Sequence, residues 1–249
     1  MTRPRFLLVT GAGRGIGAAV ARQAAAAGWN LALNYRRDEA AARSVAAAVR
    51  ALGREALLLP ADVADETQVL AMFAAVDAAG GLAGLVNNAG IVAAPARLDE
   101  MDPARWQRMF AVNVLGSMLC AREAVRRLST RHGGAGGVIV NLSSVAARLG
   151  AGGQYVDYAA SKGAIETFTV GLAREVAAEG VRVAAVRPGI IDTEIHASGG
   201  LPDRARDLAP TIPQQRPGTA DEVAAAVLWL LSPAASYATG AVIDVGGGR

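Results

Sequence analysis

The sequence predicts an α/β fold, a doubly wound parallel sheet of about seven strands with helices on both faces. Three observations lead there. Apolar runs of strand length alternate with segments of helical period along the whole chain. Those runs are continuously apolar, as in strands covered on both faces. A glycine-rich turn follows the first run, where a βα unit presents the N-terminus of its helix. The 249 residues, 52% of them hydrophobic, are enough for one domain over 1–249 with a large core and leave little for a second.

In order, Arg5–Thr10 is the first strand, and the glycine loop leads into a small-residue helix that runs to Ala27. Asn30–Tyr35 is the second strand, and Glu39–Leu52 a helix with apolar residues at helical spacing. Strand Ala56–Pro60, helix Glu66–Ala79 and strand Gly84–Asn87 follow. One long helix is expected over Pro103–Arg131, ended by the turn Gly133–Gly137. Strand Val138–Leu142 precedes helix Asp157–Glu179, which Gly180 stops before strand Val181–Val186. Thr219 is placed to cap a helix over Ala220–Leu231, and Ala241–Val245 is the last strand. Between Asp192 and Pro217 the chain carries Gly199-Gly200 and four prolines, and reads as an irregular substrate-loop insertion long enough to act as a lid.

Composition narrows the function classes. The net charge of +3 is mild and no run exceeds two adjacent arginines, so no nucleic-acid partner is expected. The longest strongly apolar stretch, Val223–Leu231, falls well short of the roughly 20 residues that span a bilayer. Met1–Arg5 runs straight into a strand and does not read as a signal peptide, so a soluble cytoplasmic protein with no membrane partner is expected. A single cysteine, Cys120, and two distant histidines, His132 and His196, predict neither a disulfide framework nor a metal site. Of the 25 basic residues all but Lys162 are arginine, which singles out Lys162 as a place where arginine does not serve.

The turn after the first strand reads Thr10-Gly11-Ala12-Gly13-Arg14-Gly15-Ile16-Gly17. Its glycines fit G-x-x-x-G-x-G through Gly11, Gly15 and Gly17, whereas G-x-G-x-x-G fails at Ile16 and no Lys-Ser/Thr follows as in a P-loop. Glycine lets the chain turn tightly and brings backbone N–H groups close to a pyrophosphate, to which the following helix adds its positive end.

This loop, Asn87-Asn88-Ala89-Gly90, Asn113, Ser144, Tyr158-x-x-x-Lys162 and Pro188-Gly189 occur in that order over nearly the whole chain. Together they resemble the short-chain dehydrogenase/reductase family in its single-domain branch. The resemblance implies a Rossmann-like fold and an NAD(P)H-dependent oxidoreductase that interconverts a carbonyl and an alcohol by hydride transfer. It also implies a small-molecule substrate, whether ketone, 3-ketoacyl thioester or sugar, and a homotetramer or dimer. By the same resemblance Asn113, Ser144, Tyr158 and Lys162 are catalytic. Gly11, Arg14, Gly15, Ile16 and Gly17 would hold the cofactor's pyrophosphate side, and Asp62-Val63 would border the adenine. Asn88, Ala89 and Gly90 would steady the sheet beside the cofactor, Pro188, Gly189, Ile191 and Thr193 would flank the nicotinamide, and Tyr158 and Lys162 would touch the cofactor too.

The chemistry fits those residue types. Reducing a carbonyl requires a proton as charge develops on oxygen. Tyr158 would give it, yet a free tyrosine has a pKa of about 10 and is a poor base for the reverse reaction. Lys162, four residues on and one helical turn away, would stabilise the tyrosinate. Ser144 would orient the substrate oxygen. It stands one residue further from Tyr158 than is commonest in the family, and the adjacent Ser143 is the second candidate. Tyr155 lies seven before Lys162, the spacing of the superfamily's enoyl reductases, but the intact glycine loop and Asn-Asn-Ala-Gly motif favour Tyr158. The second strand ends Tyr35-Arg36-Arg37 with no acid before Asp38, so Arg36 or Arg37, with Arg14, suits a 2′-phosphate and predicts NADP(H) ahead of NAD(H). Substrate loops are expected around Ile91–Leu98, Ala146–Tyr155 and Asp192–Gln215, with Arg97, Arg148 and His196 nearby. An NADP-binding regulator without turnover is the rival reading, and it would be marked by loss of the serine, tyrosine or lysine. All three are present.

Overall fold

Seven strands pair in parallel throughout the computed structural model, which describes residues 4–249. They are β1 (Phe6–Val9), β2 (Asn30–Tyr35), β3 (Ala56–Pro60), β4 (Leu82–Asn87), β5 (Gly137–Leu142), β6 (Val181–Pro188) and β7 (Val242–Val245). Their order across the sheet is β3-β2-β1-β4-β5-β6-β7. Helices α1 (Gly15–Ala26), α2 (Glu39–Ala51), α3 (Glu66–Ala79), α4 (Pro103–Phe110), α5 (Gly116–Leu128), α6 (Ala146–Leu149), α7 (Val156–Val176), α8 (Ile195–Ser198), α9 (Arg204–Leu208) and α10 (Ala220–Leu231) connect them. The expectation for Met1–Arg3 lies outside the described residues. Among the described residues no helix is long and apolar enough to cross a membrane.

Alternation along each strand divides the core in two. Leu7, Val9, Leu31, Leu33, Val140 and Val186 face α1, α2 and α10, whose alanines and valines fill that layer. Phe6, Leu8, Ala32, Leu85, Ile139 and Val183 face α3, α5 and α7 on the other side. The chain leaves β1 towards β2 and returns on its other side to β4, so a crevice opens at the C-terminal ends of β1 and β4. At that end β6 alone runs beyond expectation, continuing to Pro188 opposite Val245 of β7.

Two expectations are corrected. The single helix over Pro103–Arg131 is instead α4, one π turn over Ala111–Leu115, and α5, which ends at Leu128. Such a turn adds a residue inside an otherwise regular helix, and here it falls at the buried Asn113. The stretch Asp192–Pro217 is not irregular throughout: α8, α9 and a 3-10 turn over Ala209–Thr211 lie within it. Helices of four and five residues are too short to show a period, which also hid α6. The cap of α10 is as expected: Thr219 Oγ1 accepts from Glu222 N at 3.2 Å, and Glu222 Oε2 accepts from Thr219 N at 2.8 Å.

Candidate active site

The glycine loop is held open as a cradle. Gly11 and Gly15 adopt φ of +63° and +51°, a region that side chains disfavour. A Cβ on Gly17 would stand 2.5 Å from Asn88 Nδ2 and collide with the Gly11 carbonyl. Asn88 Nδ2 donates to the carbonyls of Thr10 (2.8 Å) and Gly11 (3.0 Å), while Thr10 Oγ1 accepts from the N–H groups of Asn88 (2.9 Å) and Ala89 (3.0 Å). Asn34, inside β2, accepts from Gly11 N through Oδ1 at 3.2 Å and donates to the Leu59 and Ala61 carbonyls. Arg14 occupies the N-cap of α1 without a side-chain cap, and the first turn holds no acid, so its N–H groups face the crevice unclaimed. These features fit the pyrophosphate of a dinucleotide.

Below the loop, amides tie the strands together. Asn87 donates to Asn141 Oδ1 at 3.0 Å, and Asn141 donates to Thr169 Oγ1 of α7 at 2.9 Å. Asn113, presented by the π turn, accepts from Ile91 N at 2.8 Å and donates to Ile91 O at 3.0 Å and to Ser161 Oγ at 3.1 Å. Its side chain thus clasps the backbone just past Gly90 and braces it against α7.

Helix α7 carries Tyr158 and Lys162 on one face, both lining a cavity of about 220 Å³ with Ser144. Burial pushes the Tyr158 hydroxyl above its ordinary pKa, and the neighbouring Ser144 hydroxyl, which favours the phenolate, works against that rise. Burial pulls Lys162 down to about 8. Ser143 is committed elsewhere: its hydroxyl donates to Glu166 Oε1 at 2.6 Å, and the Glu166 carboxylate is gripped in turn by Arg187. Between Ser144 and Tyr158, Ala151 takes φ of +49°, a left-handed kink in the connection that joins them.

Ile16, Asn88, Gly90, Pro188, Gly189, Ile191 and Thr193 share the cavity wall, and Thr193 packs against Gly15. His196 is also there, with Nε2 2.9 Å from the Ile191 carbonyl and its pKa lowered chiefly by burial. Tyr155 faces the same space, with the Arg204 guanidinium 4.9 Å from its ring centroid. Arg97 and Arg148 are not part of the wall, being paired with Asp99 and Asp244. Arg204 and Arg249, which do line it, escaped the sequence reading because neither sits in a motif.

At the other end of the crevice one expectation changes. Arg36 is not free: its Nε pairs with Asp62 Oδ2 at 2.9 Å, and Arg108 pairs with the same oxygen at 2.8 Å. Two guanidinium groups around one carboxylate neutralise part of the charge that the sequence reading left to a phosphate, and with backbone donation from Ala64 they help hold Asp62 below the ordinary carboxylate pKa despite burial. Val63 is buried beside Gly116, where a Cβ would come within 2.7 Å of Val63 Cγ2. Tyr35 is half-buried at the strand end, Arg37 is exposed, and Arg14 reaches Ser198 of α8 at 3.1 Å.

A family model described as enoyl-(acyl carrier protein) reductase matches residues 11–249. A solved short-chain dehydrogenase from Burkholderia cenocepacia in complex with NADP superposes with a TM-score of 0.89 at 34% identity, covering 99% of this chain and 97% of that one. The chain belongs to the short-chain dehydrogenase/reductase family. Among curated members of that family it is similar to the uncharacterized oxidoreductase YgfF of Escherichia coli, at 52% identity over 97% of this chain and 98% of the relative. It is also similar to 3beta-hydroxysteroid dehydrogenase 1 of Eggerthella lenta, at 40% identity over 98% of this chain and 93% of the relative. As a short-chain dehydrogenase/reductase it is an oxidoreductase that uses a nicotinamide dinucleotide.

Proposed function

We propose that this short-chain dehydrogenase/reductase interconverts a secondary alcohol and a ketone with NADP(H), using Tyr158 as general acid and base. The observation that carries the reading is the meeting of Ser144, Tyr158 and Lys162 in one cavity at the mouth of the glycine crevice. When bound there, the nicotinamide supplies or accepts the hydride. Ser144 and Tyr158 hydrogen-bond the substrate oxygen together and fix its carbon for transfer. Tyr158 gives up its proton as charge builds on that oxygen and takes it back in the oxidative direction. Lys162 lies beside the Tyr158 ring, anchored by donation from Nζ to the Leu142 carbonyl at 2.7 Å, and its charge favours the phenolate. Asn113 acts through Ile91, fixing the segment after Gly90.

Tyr155 is a wall residue in this reading, since its neighbour is Arg204 rather than Ser144 or Lys162. The Eggerthella lenta relative, named for a hydroxysteroid, supports a secondary alcohol on a ring. NADP(H) over NAD(H) rests on Tyr35-Arg36-Arg37 with no acid at the end of β2, and on Arg14 at the N-cap of α1. The exposed Leu115, at the end of the π turn, and Met118 of α5 support a homotetramer or dimer of single-domain chains, for which a cytoplasmic location is our reading. Titration with NADPH and NADH, followed by turnover of cyclic ketones and alcohols, tests the whole: NADPH-dependent turnover is expected, and absence of binding to either nucleotide overturns it.

A further inference from the structure

Two guanidinium groups in the cavity wall have no role in hydride transfer. Arg204 of α9 lines the cavity beside the Tyr155 ring, and its Nη2 donates to Gln154 Oε1 at 2.6 Å. No carboxylate pairs with it among the described residues, whereas Arg148, Arg187 and Arg216 on neighbouring segments are each paired with an acid. Arg249 lines the same cavity, and its Nη1 is buried without a hydrogen-bond partner. No aspartate or glutamate belongs to the cavity wall, which is otherwise largely aliphatic, with Val92, Leu149 and Ile195 among its members. A buried donor without an acceptor is costly, which applies to Arg249 Nη1, and the half-buried Arg204 keeps donors uncommitted to any acid beside it in the same wall. The planar guanidinium fork matches a carboxylate with two parallel hydrogen bonds.

We propose that the substrate bears a carboxylate, which Arg204 binds through its free edge while the reacting alcohol or carbonyl lies against Ser144 and Tyr158. The inference rests on the hydride-transfer reading above and adds the substrate class. Tyr155 and Gln154 hold Arg204 in place from the loop before α7, and Arg249 offers a second donor to the same anion. Apolar atoms between the two polar ends of the substrate would meet Val92, Leu149 and Ile195.

The test is the steady-state reduction of 3-oxocyclohexanecarboxylate and of its methyl ester with NADPH, in the native enzyme and in Arg204→Gln and Arg204→Lys. The native enzyme is expected to prefer the acid by about tenfold to a hundredfold in kcat/KM, the range for a charged hydrogen-bonding pair. Arg204→Gln should collapse that acid-to-ester ratio towards one, through KM rather than kcat, and Arg204→Lys should restore part of it. An acid no better than its ester, or a ratio untouched by Arg204→Gln, overturns the proposal. Should neither compound turn over, calorimetric binding of cyclohexanecarboxylate to the NADPH complex decides: binding that Arg204→Gln abolishes supports it, and no binding or equal binding overturns it. Failure of the underlying reading is separate, appearing as a lack of Tyr158-dependent turnover on any ketone or alcohol, charged or uncharged.

Discussion

Lys162 Nζ lies 5.7 Å from the centroid of the Tyr158 ring and donates to the Leu142 carbonyl at 2.7 Å. Lys162 is buried and Tyr158 half-buried, and desolvation moves their proton affinities apart: Lys162 falls to about 8 while Tyr158 rises. The Ser144 hydroxyl works against the rise at Tyr158. Proton donor, cation and orienting hydroxyl therefore form one coupled unit, and each can be probed separately.

The buried Lys162 charge carries a stability cost with a defined pH window. Its folded-state pKa of about 8 lies below the ordinary 10.5, so between those values the unfolded chain holds more protons and stability rises with pH. Below about pH 8 the cost, about 3 kcal/mol, is fully present. Lys162→Met without cofactor should therefore be the more stable protein at pH 7, with an advantage that shrinks as pH rises from about 8 to about 10.5. Urea midpoints of the two proteins across that range check this, and reading their difference cancels the opposing titration of Cys120. A difference independent of pH would contradict the buried cation.

Removing the Ser144 hydroxyl takes away a hydrogen bond that favours the phenolate, so the Tyr158 pKa should rise further. Alcohol oxidation needs Tyr158 deprotonated. Ser144→Ala should move the acid limb of the kcat profile for oxidation to higher pH, and lower kcat below that limb. Ser143→Ala should leave the limb in place, because the Ser143 hydroxyl donates to Glu166 instead.

Asp157, next to Tyr158 at the start of α7, is buried and takes both Nε and Nη2 of Arg105, at 2.7 and 3.0 Å. Arg105 also donates to the Ala94 carbonyl at 2.6 Å, joining α4 to the loop after β4. Asp157→Ala leaves the guanidinium uncompensated and should cost about 3–5 kcal/mol in denaturant unfolding. Replacing both partners, as Arg105→Met with Asp157→Leu, should recover most of that loss.

For the cofactor, Arg36→Gln combined with Arg37→Gln should raise the NADPH Kd by about tenfold to a hundredfold, with NADH changed much less. Because Arg108 still pairs with Asp62, the double variant should keep its thermal midpoint. Equal losses for the two nucleotides would remove the basis for preferring the phosphorylated one.

Much of this was legible in the sequence where structure is local or carried by a motif. Strands β2 and β3, helix α3 and the Thr219 cap fall on the residues their patterns indicate, because apolar runs, periodicity and capping chemistry are properties of neighbouring residues. The glycine loop and the Tyr158–Lys162 spacing were readable for the same reason. The π turn was not: it is set by Asn113 reaching Ile91 and Ser161, contacts 22 and 48 residues away. Nor did Arg36 announce its partner, since the Asp62 carboxylate that claims it is brought in by the pairing of β2 with β3. Arg204 came to the cavity on a helix too short to have a period.

The most direct measurement is NADPH-dependent turnover of a cyclic ketone by the native enzyme beside Tyr158→Phe and Tyr155→Phe, followed by the absorbance of the reduced nicotinamide, with NADPH binding measured on all three. Tyr158→Phe should bind NADPH normally and lose about a hundredfold to ten-thousandfold in turnover, the range for a general acid, while Tyr155→Phe retains activity. Full turnover by Tyr158→Phe, or loss confined to Tyr155→Phe, would contradict the assignment of Tyr158 as the proton donor.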